Sequence, residues 1–421
     1  MLRTDVIVLG AGMVGVCAAL HLQQRGRSVV LVDRRGPGEE TSYGNAGIIQ
    51  REGVVPYPFP RDITLMARYA FNQLPESNLH WSALPSIAPW LFRYWRASTP
   101  EQVARTARGA RPLVERCITE HEALMSEAGL LGLVRRTGYM RVYRSAPALQ
   151  DALAKQRSDR EAYGVNFQPL DAAKVAELEP HLKDGIAGGV LMPDPVSVSD
   201  PGALVNGYAE LFEKRGGRFE HADARTLEQG DDLWVIGTPR GPLVARDVVL
   251  ALGPWSDDVF GPLGYRFPLG IKRGYHQHFR ALGNATLNRP VLDAEVGYLI
   301  TPMTGGIRLT TGAEFARRDA PPTPVQLARV TPRAREIFPL GDKAEPNFWL
   351  GRRPCLPDML PIIGPAPRHR GLWFDFGHHH LGFTLGPVAG RLLAEMMTGE
   401  RPFTDPTPYR AGRFYSAYDS D

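Results

Sequence analysis

The chain has 421 residues, more than one ordinary domain holds, which predicts about two or three structural units. Hydrophobic residues at 43% and charged residues at 22% are typical of a globular protein and exclude a disordered or membrane-spanning chain. The 49 basic and 45 acidic residues are scattered, without basic runs that would follow a phosphate backbone, so we expect no nucleic-acid partner. Three distant cysteines, Cys17, Cys117 and Cys355, form neither a disulfide framework nor a zinc-binding pattern.

The N-terminus favours a cytoplasmic location. Its apolar run at residues 6–9 is shorter than a signal-peptide core and leads into glycines. The richest apolar stretch, residues 87–95, contains Pro89 and Arg93 and is too short to span a membrane. We expect it to be a helix that packs its aromatic side chains inward. A peripheral contact with the inner face of a membrane stays open as the alternative.

A strand, a glycine turn and a helix open the chain. Residues 5–9 form a β-branched run that predicts a buried strand, and residues 10–15, with the sequence Gly-Ala-Gly-Met-Val-Gly, predict a tight turn into a helix over 16–24. A second strand is predicted over 28–32, and Asp33 ends it. Strand, glycine turn, helix, strand and acid in this order predict a dinucleotide-binding site.

The glycines and the acid of this pattern each have a physical task. Gly10 makes the turn, Gly12 lets a pyrophosphate approach the backbone, and Gly15 lets the helix pack on the strand. The helix N-terminus offers unpaired N–H groups to the anion. Asp33 is placed to accept hydrogen bonds from a ribose hydroxyl.

The glycine pattern does not choose between NAD and FAD. A nicotinamide enzyme of the simple doubly wound type would continue with alternating strands and helices, whereas residues 41–49 here form a loop rich in small and hydroxyl side chains. Such residues suit close passage of the backbone along a cofactor, and a polar surface loop is the alternative.

The middle of the chain mixes helices with recurring strands. Residues 61–129 have a helical pattern, with breaks predicted at Pro75, Pro85, Pro89, Pro100 and Pro112. Helices are also predicted over 147–163 and 200–214. Strands are predicted over 138–143, 188–192, 218–221 and 247–252, with a hairpin-like region around 233–236. Further strands at 273–279, 297–302 and 307–311 predict an antiparallel sheet that covers something.

The C-terminal part carries a second glycine-rich signal. Residues 351–354, Gly-Arg-Arg-Pro, lead to a strand at 372–376 and then to Gly377 and three histidines. A helix is predicted over 388–397, with Pro387 in its first turn and its positive dipole end beside a cofactor. Adjacent histidines point in different directions, so we predict no metal site.

Together these segments resemble the D-amino-acid oxidase superfamily of FAD enzymes, in the branch of glycine oxidase and the bacterial D-amino-acid dehydrogenases. The resemblance covers nearly the whole chain. It implies an α/β fold, α+β overall, in which a discontinuous Rossmann-type FAD-binding domain carries a substrate domain with a mixed or antiparallel sheet. The expected FAD-binding segments are 1–50, 197–260 and 350–421, and the expected substrate segments are 51–196 and 261–349.

The resemblance also implies a set of site residues. The catalytic group is Arg353 as the clamp for the substrate carboxylate, Tyr298 as its helper, and His380. The expected cofactor-binding residues are Gly10, Gly12, Met13, Val14, Gly15, Asp33, Arg34, Thr41, Ser42, Asn45, Ala46, Gly47, Ile48, Ala224, Ala251, Gly253, Trp255, His380, Leu381, Gly382, Phe383 and Thr384. Sarcosine-oxidase relatives bond the flavin through a cysteine, but Gly351 takes that position here and Cys355 is four residues away. We therefore expect non-covalent FAD.

The resemblance predicts oxidation of the Cα–N bond of a D-amino acid or a cyclic imino acid such as D-proline or hydroxy-D-proline, with hydride transfer to flavin N5. Electrons are expected to pass to a quinone or protein acceptor rather than to oxygen. Two alternatives stay open, a glycine- or sarcosine-type oxidase that makes hydrogen peroxide, and a flavin-bearing subunit of an electron-transfer complex. A carboxylate clamp at Arg353 argues against the second alternative.

Overall fold

The structure, a computed structural model, describes residues 2–231 and 233–415. Met1 and residues 416–421, which the predicted FAD-binding segments include, lie outside the described residues. The described part of the chain has ten α-helices: α1 (Met13–Gln24), α2 (Ile63–Ala70), α3 (Leu84–Arg96), α4 (Pro100–Ala128), α5 (Ala146–Tyr163), α6 (Ala172–Leu178), α7 (Pro201–Lys214), α8 (Asp257–Phe260), α9 (Val325–Ile337) and α10 (Gly382–Thr398).

The strands of the same residues fall into three sheets. In chain order they are β1 (Leu2–Leu9), β2 (Val29–Asp33), β3 (Ile48–Ile49), β4 (Ser77–Leu79), β5 (Val134–Arg135), β6 (Tyr139–Tyr143), β7 (Gln168–Asp171), β8 (Gly188–Met192), β9 (Val196–Val198), β10 (Arg218–His221), β11 (Glu228–Gln229), β12 (Trp234–Ile236), β13 (Leu243–Leu250), β14 (Gly270–Ala281), β15 (Val291–Asp293), β16 (Tyr298–Met303), β17 (Gly306–Thr310), β18 (Ala313–Phe315), β19 (Leu340–Lys343), β20 (Trp349–Cys355), β21 (Ile362–Pro365) and β22 (Leu372–Phe376).

The first sheet has eight strands and a parallel centre. Strand β1 lies between β2 and β13, β10 extends the sheet beyond β2, and β22 runs parallel to the end of β13. The central strands are buried on both faces, as their continuous β-branched sequences predict. Helices α1 and α10 pack against each other on one face of this sheet, within the largest apolar cluster. This is the Rossmann-type arrangement that the sequence predicts.

The second sheet has eleven strands and is mixed. Its longest strand, β14, pairs antiparallel with β17, β18, β19 and β20. Parallel pairs occur between β15 and β6 and between β18 and β4. A small third sheet joins β3, β9 and β5. The expected fold class, an α/β dinucleotide-binding unit with a mixed-sheet unit, is confirmed.

The division into domain segments stays a prediction. The strand pairing shows where one predicted boundary falls relative to the sheets. Strand β20 pairs with β14 along Gly270↔Cys355 to His276↔Trp349 and so belongs to the second sheet. The predicted boundary at residue 350 therefore falls inside a strand rather than between two units.

Two predicted helix breaks are wrong. Pro89 lies inside α3 and Pro112 lies inside α4, which runs for 29 residues. Pro85 and Pro100 stand at the first positions of their helices, where the missing N–H group would have no partner in any case.

The prediction that the last helix starts at Pro387 is also wrong, because α10 begins at Gly382 and contains Pro387. A proline at this position leaves the carbonyl of Phe383 without its usual helical N–H partner. His121 replaces that partner, with its Nε2 at 2.9 Å from the Phe383 oxygen. No helix in the described ranges is long and apolar enough to cross a membrane.

Candidate active site

A cavity of about 850 Å³ lies between the first and second sheets. Strands β1 and β13 end level with each other, with Leu9 opposite Leu250, and β2 is level with them through Val32. Their carboxyl ends therefore meet at one edge, the usual ligand-binding edge of a parallel sheet. One face of the second sheet closes the cavity from the other side.

The turn after β1 has the geometry that the glycine pattern predicts. Gly10 has a φ of +106°, and a Cβ there would stand 2.4 Å from the carbonyl oxygen of Ala251. Gly12, which precedes α1, supplies no side-chain cap to the helix, and the start of the helix opens on the cavity. Asp33 Oδ2 accepts a hydrogen bond of 2.8 Å from the N–H of Ala11, which fixes the carboxylate beside the turn.

Hydrogen bonds hold the loop at residues 41–48 to α1 and to the second sheet. Ser42 Oγ accepts a 3.0 Å hydrogen bond from the N–H of Met13 at the start of α1. Thr41 Oγ1 donates to the carbonyl of Arg352 at 3.0 Å. The Arg308 guanidinium on β17 donates to the carbonyls of Tyr43, at 3.2 Å, and Asn45. The loop is therefore held by contacts that no local sequence pattern reveals.

Most predicted cofactor-binding residues line the cavity. Those on its wall are Gly10, Gly12, Met13, Val14, Asp33, Arg34, Thr41, Ser42, Asn45, Ala46, Ile48, Ala224, Ala251, Gly253, Trp255, His380, Leu381, Gly382 and Phe383. The indole of Trp255 lies between two guanidiniums, 4.8 Å from that of Arg34 and 5.7 Å from that of Arg352.

Three predicted cofactor-binding residues are not on that wall. At Gly15 a Cβ would stand 1.8 Å from the Gly10 oxygen, so this glycine serves the packing of α1. At Gly47 a Cβ would stand 2.4 Å from the Val198 oxygen, so this glycine packs on the third sheet. Thr384 is buried, and its Oγ1 accepts from the N–H of Gln50 at 3.1 Å. These three residues support the site rather than form its surface.

Arg353 lies in the cavity wall, on β20. Its Nη1 donates a 2.9 Å hydrogen bond to the carbonyl of Gly312. Burial lowers the pKa of its guanidinium, although an arginine stays charged in proteins. The hydrogen-bond partner of the guanidinium among the described residues is thus an uncharged oxygen. Most of its five N–H donors remain for a ligand.

The structure does not place Tyr298 beside Arg353, contrary to the expectation from the sequence. Tyr298 is 1% exposed, lies in the apolar cluster on the far face of the second sheet, and donates to the Arg333 carbonyl at 3.2 Å. Its neighbour Leu299 lines the cavity instead. Successive strand residues point to opposite faces, so a shift of one residue moves the tyrosine away from the site.

The three consecutive histidines diverge. His378 Nε2 lies 3.3 Å from Oδ1 of the buried Asp375, and His379 Nε2 lies 2.8 Å from the Leu356 carbonyl. His380 lines the cavity, with its ring centroid 5.1 Å from that of Tyr57. Burial, helped by the nearby charges of Arg353 and Lys272, lowers the pKa of His380 to about 3, so this imidazole is neutral near pH 7.

Another group of histidines has the composition of a metal site but different contacts. His276, His278 and Glu345 bring ligand atoms within 4.8 Å of one another. Arg308 Nε donates to His278 Nε2 at 3.0 Å, and His278 Nδ1 lies 2.6 Å from Glu345 Oε1. Both ring nitrogens of His278 are thus engaged, one by a guanidinium and the other by a carboxylate. The group braces Arg308 beneath the 41–48 loop.

Several cavity residues on β14 and α3 were not predicted from the sequence. Lys272 and Gly274 on β14, together with Tyr94 from α3, line the cavity. A Cβ at Gly274 would stand 2.7 Å from an Arg353 nitrogen, so the glycine makes room for the guanidinium. The alternation Gly270, Lys272, Gly274, which begins ahead of the strand predicted at 273–279, was the available signal, because alternate residues of a strand share one face and the two glycines leave space on it.

The residues at the first sheet fit a dinucleotide cofactor. A helix N-terminus preceded by Gly12 suits a pyrophosphate, a carboxylate at the end of β2 suits a ribose, and the glycines of the turn let a cofactor approach the backbone. The wall continues past the 41–48 loop to residues 380–383, which lengthens the site beyond the dinucleotide turn.

Comparisons with known proteins agree with this geometry. The family model described as FAD dependent oxidoreductase matches residues 5–396. A D-amino-acid oxidase of Bradyrhizobium diazoefficiens is 30% identical over 418 residues, covering 97% of this chain and 98% of that protein. A D-amino acid dehydrogenase of Azorhizobium caulinodans is 31% identical, covering 94% of this chain and 96% of that protein.

A solved structure shows the same fold. Glycine oxidase from Geobacillus kaustophilus superposes with a TM-score of 0.75 at 21% identity, covering 99% of this chain and 100% of that one. With the glycine turn, the acid at the end of β2 and a cavity between two sheets on the page, the match over nearly the whole chain identifies this protein as an FAD-dependent oxidoreductase of the D-amino-acid oxidase family.

Proposed function

We propose that this enzyme oxidises the Cα–N bond of a D-amino acid or a cyclic imino acid and passes the electrons to an acceptor other than oxygen. The observation that carries the proposal is Arg353, a cation in the cavity wall whose recorded partner is a carbonyl rather than a carboxylate. The names of the relatives, D-amino-acid oxidase and D-amino acid dehydrogenase, support the same substrate class.

FAD would be held by the edge of the first sheet. The turn at residues 10–14 and the start of α1 would face its pyrophosphate, Asp33 its ribose, and the 41–48 loop and residues 380–383 its ring system. FAD supplies the two-electron oxidant of the reaction when it is bound. We propose that Cys355 does not bond to it.

Arg353 binds and orients the substrate. A planar guanidinium donates two parallel hydrogen bonds to a carboxylate, which fixes the angle of the Cα–H bond as well as the position of the charge. Gly274 and Gly312 frame this group, one by leaving room for it and one by accepting its Nη1 proton. The carboxylate of the substrate would neutralise a charge that has no acidic partner among residues 2–231 and 233–415.

This reaction does not require a residue that acts as a base. His380 is uncharged near pH 7, because burial and two neighbouring cations hold its pKa at about 3. The same cations favour loss of an ammonium proton from the substrate, so the amine would react in its neutral form. His380 then acts as an uncharged wall of the site beside Tyr57.

The test of the clamp is substitution of Arg353. Removing one partner of a desolvated charge pair costs about 2–5 kcal/mol, so Arg353→Ala should lower kcat/KM by about 30-fold to several thousandfold. Arg353→Lys should recover part of the loss, because it restores the charge without the planar fork. The exposed Arg401→Ala is the control. Retention of both FAD and the parent kcat/KM by Arg353→Ala would overturn the proposal.

The acceptor is tested by comparing an indophenol dye with oxygen. We expect dye turnover to exceed peroxide formation by at least about tenfold, or about 1.4 kcal/mol in barrier. Equal rates in air and with dye would favour the glycine- or sarcosine-type oxidase instead.

A peripheral membrane contact would suit a quinone acceptor. Helix α2 buries none of its residues, and Ile63 and Phe71 at its ends are 82% and 67% exposed, with Arg61 and Arg68 nearby. Met66 of the same helix lines the cavity. Apolar and basic side chains on one short helix suit an anionic lipid surface. Sedimentation with anionic vesicles should capture the wild type and lose Ile63→Ser/Phe71→Ser, whereas equal capture of both would contradict the contact.

A further inference from the structure

Two cations stand side by side on the second sheet. Lys272 on β14 lies directly opposite Arg353 on β20 in the antiparallel pair, and both side chains line the cavity. Opposed residues of such a pair share one face of the sheet, with Cβ atoms about 5 Å apart. Like charges in this arrangement destabilise a sheet, so the pair needs a compensating partner.

The side chains that surround the Lys272 ammonium group on its other sides are uncharged aromatic residues. Its Nζ lies 2.8 Å from the hydroxyl oxygen of Tyr94 and 4.0 Å from the centre of that ring. The rings of Trp90 and Phe315 lie farther away, at 5.8 and 5.9 Å. The Tyr94 hydroxyl donates its own proton to the Tyr57 carbonyl, so it serves Lys272 as an acceptor.

The contacts of both charged heads are therefore incomplete. An ammonium carries three N–H donors, and Tyr94 takes one of those of Lys272. The recorded polar partners of the two heads, in residues 2–231 and 233–415, are one hydroxyl and one carbonyl. A methionine would fill the same aromatic surroundings without the cost of a partly buried charge. The charge at residue 272 thus calls for a ligand.

The α-carboxylate of an amino acid at Arg353 would compensate only one of the two charges. We infer that Lys272 binds a second carboxylate, on the side chain of the substrate, and so selects acidic amino acids. This inference rests on the proposed function for its first anion. The Lys272 head and the Arg353 head then hold the two ends of one dicarboxylic substrate across the face shared by β14 and β20.

The first experiment compares acids with their amides in the FAD-loaded enzyme. D-Glutamate and D-glutamine, and D-aspartate and D-asparagine, differ in charge but hardly in shape. We expect anaerobic flavin reduction to favour the acid by at least about tenfold in kcat/KM in the wild type. Lys272→Met should abolish this preference by lowering kcat/KM for the acids far more than for the amides, and Lys272→Arg should restore most of it. The exposed Lys343→Met is the matched control.

Three outcomes would overturn the inference. Equal kcat/KM for acid and amide in the wild type, or an equal loss for both in Lys272→Met, would assign Lys272 to another task. A preference for 4-hydroxy-D-proline over D-proline without a preference for acid over amide would also overturn it, because Lys272 would then bind a neutral hydroxyl.

A binding experiment separates this inference from the proposed function. Glutarate and pentanoate are titrated into the same holoenzymes, and the visible flavin spectrum reports binding without turnover. We expect glutarate to bind at least about tenfold more tightly than pentanoate to the wild type and equally to Lys272→Met. If this holds while no D-amino acid reduces the flavin, the proposed function fails and the second anion site stands. If the two acids bind the wild type equally, the second anion site fails whatever the turnover.

Discussion

The guanidinium of Arg353 lies directly over Gly274 of the neighbouring strand. A Cβ added to Gly274 would stand 2.7 Å from Nη2 of Arg353, 3.1 Å from its Cζ and 3.1 Å from the Gly312 oxygen. The first distance is shorter than real Cβ contacts and the other two are tight, so a side chain at residue 274 would displace the guanidinium.

Gly274→Ala should therefore damage substrate binding while leaving the cofactor in place. Displacing a positioning group by about 1 Å can cost about 100-fold in rate, so we expect kcat/KM to fall about 10- to 100-fold with unchanged FAD content. Gly132→Ala is the control, because a Cβ there meets nothing within 4 Å. Steady-state kinetics on both variants make the comparison, and parent-like kinetics in Gly274→Ala would mean that Arg353 adjusts freely.

Substitutions at Gly10 and Gly12 should fail in different ways. A Cβ added at Gly12 meets only Ser42 Oγ within 4 Å, at 3.3 Å, so we expect Gly12→Val to fold, but its side chain would occupy the pyrophosphate position and should abolish FAD retention. Gly10→Ala combines a φ of +106° with a contact of 2.4 Å, which should lower the free energy of unfolding by about 1–3 kcal/mol. Flavin-to-protein absorbance and the Tm of the apo forms separate the two effects. Full FAD content in Gly12→Val would contradict the assigned pyrophosphate position.

Tyr298→Phe should leave catalysis within about twofold of the wild type. The hydroxyl donates to the Arg333 carbonyl on the far face of the sheet, so its loss should cost about 1 kcal/mol of unfolding free energy instead. Leu299→Ala, one residue away on the cavity face, should change KM. Kinetics and chemical denaturation of both variants test this, and a large kcat/KM loss confined to Tyr298→Phe would return the tyrosine to the site.

The pH dependence of the reaction should not include His380. Its pKa of about 3, set by burial and then by Arg353 and Lys272, keeps the imidazole neutral from pH 5 to 9. We expect the pH profiles of anaerobic flavin reduction to have the same shape in the wild type and in His380→Gln, whatever the difference in rate. An inflection between about pH 5 and 8 that only the wild type shows would assign an ionisation to His380.

The buried Arg273–Glu314 pair should make stability depend on pH. The two side chains are 0% exposed, and Glu314 Oε2 lies 2.7 Å from Arg273 Nε. Burial alone would raise the pKa of Glu314, but hydrogen bonds from Thr323 and Tyr275 and the charge of Arg273 outweigh it and lower the pKa. The folded protein therefore binds this proton less readily than the unfolded chain, so the stabilisation is present above about pH 4.3 and is lost as the pH falls through the folded pKa.

Glu314→Gln removes that dependence. At pH 7 it should cost about 3–5 kcal/mol of unfolding free energy, because it leaves Arg273 as a buried charge without its partner. The difference in Tm between wild type and variant should shrink as the pH falls from 7 to about 3.5. A constant difference over this range would mean that Glu314 does not carry the pH dependence.

The sequence alone determined the dinucleotide half of this enzyme. Gly10, Gly12 and Asp33 belong to one strand-turn-helix-strand unit of about 30 residues, and the pairing of β1 with β2 and the bond from the Ala11 N–H to Asp33 lie within it, so their spacing predicts their places. The later strands at 188–192, 218–221 and 372–376 were likewise predicted with the bounds that the structure has, since buried strands bounded by glycine or proline have a clear pattern.

Only the tertiary structure decided which side chains of the second sheet face the cavity. Lys272 and Arg353 are 81 positions apart in the chain, and the pairing of β14 with β20 places them opposite each other. The side that Tyr298 or Leu299 faces depends on the register of β16, where a shift of one residue exchanges the two faces. Strand register is set by partners far away in the sequence, and spacing along the chain does not contain it.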